Sequence, residues 1–137
     1  ANHGSSGTFG QHIPALPAGS GLTGSGTVLH VRETASRRSN VGIVETSGAG
    51  LHLTLRLVDR IGRTLGTPID VSLGPWESVQ LNDIFRVVDA EATPTARVAI
   101  EATSGAGRFF AYASVVDADS GDAIFVPVLP IPAALTN

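Results

Sequence analysis

The chain has 137 residues, 42 % of them apolar and 15 % charged, with a formal net charge of −3. That length fits one domain with a core of its own, and a weakly acidic chain lacks the basic face that nucleic acid requires. With no cysteine there is neither a disulfide framework nor a thiolate metal site, so packing must supply the stability.

In chain order, residues 1–26 read as an extended arm. ANHGSSG and AGSGLTGSG have the composition of flexible linkers, but TFGQHIPALP at 8–17 does not. Phe9, Ile13 and Leu16 are apolar, and Pro14 and Pro17 lack an N–H, which confines the segment to an extended edge conformation. The chain has no methionine, even at position 1, and Ala1 fits the small residue left by signal-peptide cleavage. The expectation is an exported protein without a membrane span, since no apolar run approaches the roughly 20 residues that a bilayer requires.

Residues 27–137 form the expected domain. TVLHVR at 27–32 alternates as a strand, and ETASRRSN reads as a polar loop with two adjacent arginines. VGIVET at 41–46 is a second strand, in which Gly42 marks a bulge or a close backbone approach. LHLTLRLVD, at 51–59, is the cleanest period-2 run: Leu51, Leu53, Leu55 and Leu57 point one way, His52, Thr54 and Arg56 the other. After the tight turn DRIGR come the strand PIDVSL, the break at Gly74-Pro75, and the alternating run WESVQL. Asn82 is the expected cap of a short helical turn that tucks Ile84, Phe85 and Val88 under one end of the fold. From Arg97 to Pro127 three strand-like runs follow one another across SGAG and DADSGD turns, which predicts a three-stranded antiparallel meander. Leu51, Leu53, Leu55, Leu57, Val98, Ile100, Phe110, Tyr112, Val115 and Ile124 are expected in or beside the core.

The sequence also echoes itself. IVETSGAGLHLTLRLVD and AIEATSGAGRFFAYASVVD share TSGAG at 46–50 and 103–107, an offset of 57 residues, and each ends in an Asp-headed turn before another strand. The expected meaning is two related meanders facing each other as the two sheets of a sandwich. More faintly, IPALP at 13–17 resembles VPVLP at 126–130. The fold class is therefore an all-β antiparallel β-sandwich of about seven to nine strands with an extended N-terminal arm.

Chemistry-bearing residues are sparse. Asp117, Asp119 and Asp122 in DADSGD are weak calcium candidates, because Gly stands at the fifth position and no Glu closes the loop. The same residues are ordinary turn formers, so no metal or cofactor is expected. His3, His12, His30 and His52 lack zinc-ligand spacing, no serine sits in a nucleophile elbow, and Glu77 with Asp83 beside Trp76 is a faint carboxylate pair. An enzyme is not expected. Trp76, Tyr112 and Phe109 are candidates for a sugar-stacking platform, with core packing the favoured use of so few aromatics.

The closing run YASVVDADSGDAIFVP resembles the last strands of β-sandwich repeats in large secreted bacterial proteins. The layout, a short arm with an apolar segment ahead of a cysteine-free sandwich, resembles the subunits of donor-strand-exchanged extracellular filaments. That resemblance implies a self-assembling surface polymer. Residues 8–17 would be the candidate donor strand, and Phe9, Ile13, Pro14, Leu16 and Pro17 the subunit interface. The alternative expectation is a carbohydrate- or surface-binding module of a secreted protein.

Overall fold

The computed structural model describes residues 21–131. Residues 8–17, with Phe9, Ile13, Pro14, Leu16 and Pro17, lie outside them. The described chain forms β1 (Ser25–Val31), β2 (Arg37–Glu45), β3 (Leu51–Asp59), β4 (Thr64–Leu73), β5 (Ser78–Leu81), α1 (Ile84–Val87), β6 (Ala96–Ser104), β7 (Phe109–Asp117), β8 (Ala123–Pro127) and β9 (Leu129–Ile131). All pairings are antiparallel, in one sheet ordered β4-β3-β6-β1-β9 and a second ordered β5-β2-β7-β8. The fold is an all-β sandwich. Among the described residues no helix is long and apolar enough to cross a membrane.

Period-2 alternation builds the core as the leucine run predicts. Leu51, Leu53, Leu55 and Leu57 are all buried, and Val98 and Ile100 of β6 join them with Val41 and Ile43 of β2. Each such side chain contributes about 1.5–3 kcal/mol when fully buried. A bulge in β1, with His30 at φ 61, shifts register between Val28 and Val31 so that both reach the core. Ile84, Phe85 and Val88 close one end as expected. The cap differs: Asp83 holds that position in a left-handed conformation, while Asn82 accepts a bond from Gln80 Nε2 at 3.0 Å. The polar loop read into ETASRRSN is also shorter than expected, because Arg37 to Asn40 are paired strand residues.

The meander from Arg97 to Pro127 does not form. β7 and β8 pair as a hairpin, but β6 lies in the other sheet, beside β3 and β1. TSGAG is an arch that carries the chain from one sheet to the other, and so is its echo. Each copy of the repeat therefore runs strand, arch, strand, hairpin, strand through both sheets. The copies interlock: β2 of the first pairs with β7 of the second, and β6 of the second pairs with β3 of the first. At the crossing point, Gly107 N–H donates to Gly50 O at 3.0 Å.

The copies are also out of step by one residue. From the end of TSGAG the first copy runs nine residues to Asp59 and the second ten to Asp117, so the first inward residue is Leu51, directly after Gly50, in one and Phe109, two past Gly107, in the other. Arg108 is the extra residue, and it flips the parity of β7. Phe109, Ala111, Ala113 and Val115 face inward, while Phe110 and Tyr112 lie on the outer face; Tyr112 is buried there, at 8 % exposure, and Phe110 is half-buried. Ile124, expected in or beside the core, is 57 % exposed because β8 is an edge strand.

Candidate functional site

The flipped parity of β7 creates the most distinctive surface of the molecule. On the outer face of the four-stranded sheet, cross-strand pairing sets out side chains in rows. Arg38, Val116 and Ala123 form one row; Asn40, Ser114 and Phe125 the next; then Gln80, Gly42, Tyr112 and Pro127; then Ser78, Val44 and Phe110. Successive rows are about 7 Å apart along the strands. The Tyr112 and Phe125 rings lie 5.3 Å apart at 23°, and Phe110 lies 6.4 Å from Tyr112 and 6.5 Å from Phe125 at similar tilts. The three rings thus make one near-parallel stack.

Gly42 is what allows the stack to lie flat. A Cβ at that position would come within 2.3 Å of the Tyr112 ring, so the sequence signal of a close approach was a true one. The Tyr112 hydroxyl donates to Gln80 Oε1 at 3.4 Å, and burial pushes the phenol pKa upward.

Beside the stack the same face becomes a polar groove of about 850 Å³. Arg38, Asn40, Gln80 and Ser114 form its floor; Asn82, Asp83 and Arg86 stand on one side, Gly121 and Ala123 on the other. The Asn40 side chain accepts the Asp83 N–H at 2.7 Å, which fixes the floor to the α1 wall. Asp83 pairs with Arg86 at 3.7 Å. Behind it sits Glu33, whose carboxyl is raised to about 7 by a hydrogen bond to Asp83, with desolvation and the Asp83 charge adding to that and Arg86 opposing it. Glu33 Oε1 and Asp83 Oδ1 are both buried without another partner, and a proton shared between the two carboxyls satisfies both.

A fully buried carboxylate organises the arch end. Glu45 is fully buried, and no cationic side chain among the described residues pairs with it. It accepts bonds from Gly48 N–H at 2.7 Å, Trp76 N–H at 3.0 Å, Ala49 N–H and Arg108 N–H at 3.3 Å, and the Ser47 hydroxyl. Burial alone would push its carboxyl up; the bonds from Ser47, Trp76, Gly48 and Ala49 outweigh that and hold it far below the usual range. The only sequence signal for this role is a Glu on the inward parity of β2 immediately before a glycine-rich stretch able to offer N–H groups.

The other singled-out residues fall elsewhere. Asp117 accepts the N–H groups of Asp119 and Ser120 at 2.8 and 3.3 Å and pairs with Arg37 at 3.5 Å, all of which lower its pKa. Its carboxylate thus acts as a turn former beside Asp119 and Asp122. Among the described residues no group of three His, Asp or Glu side chains is placed to hold a metal ion. His52 Nδ1 meets Ser72 Oγ at 2.6 Å, far along the chain from the exposed His30. Glu77 accepts the Gly74 N–H at 2.7 Å within a turn, and the carboxyl partner of Asp83 is Glu33.

Trp76, Tyr112 and Phe109 do not come together as a platform. Phe109 is in the core, Trp76 is 64 % exposed against the Gly48 arch, and the partners of Tyr112 are Phe110 and Phe125. Sequence reasoning missed the pair Phe110 and Phe125 as surface residues because adjacent Phe109 and Phe110 leave the parity open. No protein-family model, curated protein or solved structure matches the chain.

Proposed function

We propose that the chain is a carbohydrate- or surface-binding β-sandwich module. The observation that carries this reading is the continuity of the Phe110–Tyr112–Phe125 stack with a groove floored by Asn40, Gln80 and Ser114. A sugar ring has an apolar C–H face, which packs on an aromatic plane, and a rim of hydroxyls, which needs donors and acceptors at the same level. Both are offered side by side on one rigid sheet. Affinity electrophoresis of the full chain through gels containing soluble polysaccharides tests it. Retardation that Phe125→Ala weakens about tenfold, roughly 1.4 kcal/mol, supports the reading; free migration in every gel overturns it.

A second reading, a self-assembling extracellular filament subunit, draws support from the sheet edges. β9 pairs with β1 only from Ser25 to Thr27, so no strand of the described residues runs along that side of β1 from Val28 onward. In this reading an extended segment such as residues 8–17 of another copy adds there by strand exchange. Deleting residues 1–17 separates the readings: a filament subunit loses assembly, whereas a binding module keeps its retardation in the gels.

A further inference from the structure

The charge of the groove narrows the class of glycan, an inference that rests on the binding-module reading. We propose that the outer face takes an acidic saccharide, a chain of uronate residues. One sugar stacks on Phe125, and Arg38 holds a carboxylate of the chain.

Arg38 projects from the outer face of β2, exposed, and no carboxylate among the described residues lies within ion-pair distance of it. Its neighbour Arg37 is consumed by Asp117 at 3.5 Å. Three charged side chains line the groove, and two of them, Arg38 and Arg86, are cationic. Asp83 is engaged by Arg86 and Glu33. Of the acid-rich β7–β8 turn only Gly121 reaches the groove. A local positive balance in a chain of formal charge −3 is not a by-product of a basic surface. A guanidinium presents a planar fork of donors that a carboxylate accepts two at a time, a match that hydroxyls do not offer.

The spacing fits as well. Phe125 pairs with Ser114, Ser114 with Asn40, and Arg38 stands one row further along β2. That places the Arg38 backbone about 7 Å along the strands and about 10 Å across them from Phe125. A sugar ring on the aromatic stack and an extended arginine side chain bridge this distance together. Asn40, half-buried between them above the buried Ser114, is left to meet the ring hydroxyls.

The test is calorimetric titration of the full chain at low salt with oligogalacturonate and oligomannuronate, each compared with its own methyl ester. The ester keeps the ring and removes the charge. The expected result is at least tenfold tighter binding of one acid than of its ester, weakened by salt, with Arg38→Gln abolishing the preference while the near-UV circular dichroism stays unchanged. Equal binding of acid and ester, or a preference that survives Arg38→Gln, overturns the role of Arg38 and leaves the glycan reading intact. Binding of neutral polysaccharides alone does the same. No binding of any saccharide overturns both.

Discussion

In the first arch, Glu45 precedes TSGAG and its carboxylate gathers N–H groups from three separate pieces of chain: its own arch, the turn before β5, and the second arch. In the second, Ala102 holds the same place and no side chain does that work; its own N–H donates to Gly24 O at 3.0 Å. Gly48 and Gly105, equivalent in the two arches, both have positive φ, at 80° and 101°. The next glycines diverge. Gly50 is left-handed at φ 80, whereas Gly107 is glycine because a Cβ there would meet the Glu45 carboxylate at 2.5 Å. The same five letters thus serve two ends: one arch supplies the charged hub, the other the backbone that closes around it. Arg108, the residue that breaks the repeat, is also the one whose N–H reaches Glu45 at 3.3 Å and Ser47 Oγ at 3.2 Å.

The strongest way to break this asymmetry is to delete Arg108. If the second arch keeps its present geometry, the shortened chain turns Phe110 and Tyr112 inward and drives Phe109, Ala111 and Ala113 outward. We expect loss of the cooperative thermal transition, and a variant that melts like the parent would refute the one-residue offset. Next in size is Glu45→Ala, which strands several buried N–H groups and should cost about 3–5 kcal/mol, a fall in Tm of about 10 °C or more. Its pH dependence sharpens the point. A carboxyl held below its ordinary value contributes stability that is present above that value, 4.5, and lost as pH falls below it. The gap between parent and Glu45→Gln should therefore narrow in acid-titrated melts below about pH 4.5.

Gly105→Ala probes the second arch alone. The added methyl lies 2.7 Å from Leu51 Cα at a left-handed backbone, and a cost of about 1–3 kcal/mol in denaturant titration is expected. The smallest effect contrasts the half-buried carboxyl of Glu33 with the fully buried one of Glu45. Glu33 is raised to about 7 where Glu45 is lowered, so its contribution is fully present below 4.5 and lost as pH rises through 7. Glu33→Gln, which keeps the neutral form, should melt slightly above the parent at pH 8 and level with it at pH 5. The opposite order would place the proton elsewhere.

The strands were legible in the sequence because alternation is local: Leu51 to Leu57 could face only one way. What joins them was not. A glycine-rich stretch satisfies a hairpin and an arch equally well, and the choice depends on whether the flanking strands find partners in one sheet or two. For TSGAG that is decided by β2 meeting β7, far off in the chain. The parity of β7 was hidden for a similar reason. Bulk favours Phe110 and Tyr112 inside, but the four leucines of β3 already fill that layer, and small Ala111 and Ala113 fit opposite them. The aromatic stack, and with it the candidate site, became visible only once that parity was known. Gly42 was the exception, a residue whose lack of a side chain announced a close neighbour without naming it.

The interlocked repeat also governs the timing of folding. The β3–β4 and β7–β8 hairpins are local and can form within microseconds. The hub of the fold, in contrast, joins Glu45 to an amide 63 residues later. On a ribosome moving at about 5–20 residues per second, the first arch waits several seconds for its partner. Throughout that wait β2 and β3 carry apolar faces and open edges, and Glu45 lacks the Trp76 and Arg108 N–H groups. Chain closure over such separations slows folding toward the millisecond-to-second range of other β-sandwiches. The short edge strands β5 and β9, with Pro68, Pro127 and Pro130 on edge strands, protect the finished molecule from pairing with its neighbours. They offer the half-made one no such protection, so translation speed and chaperone capacity should bear on yield more than the final stability does.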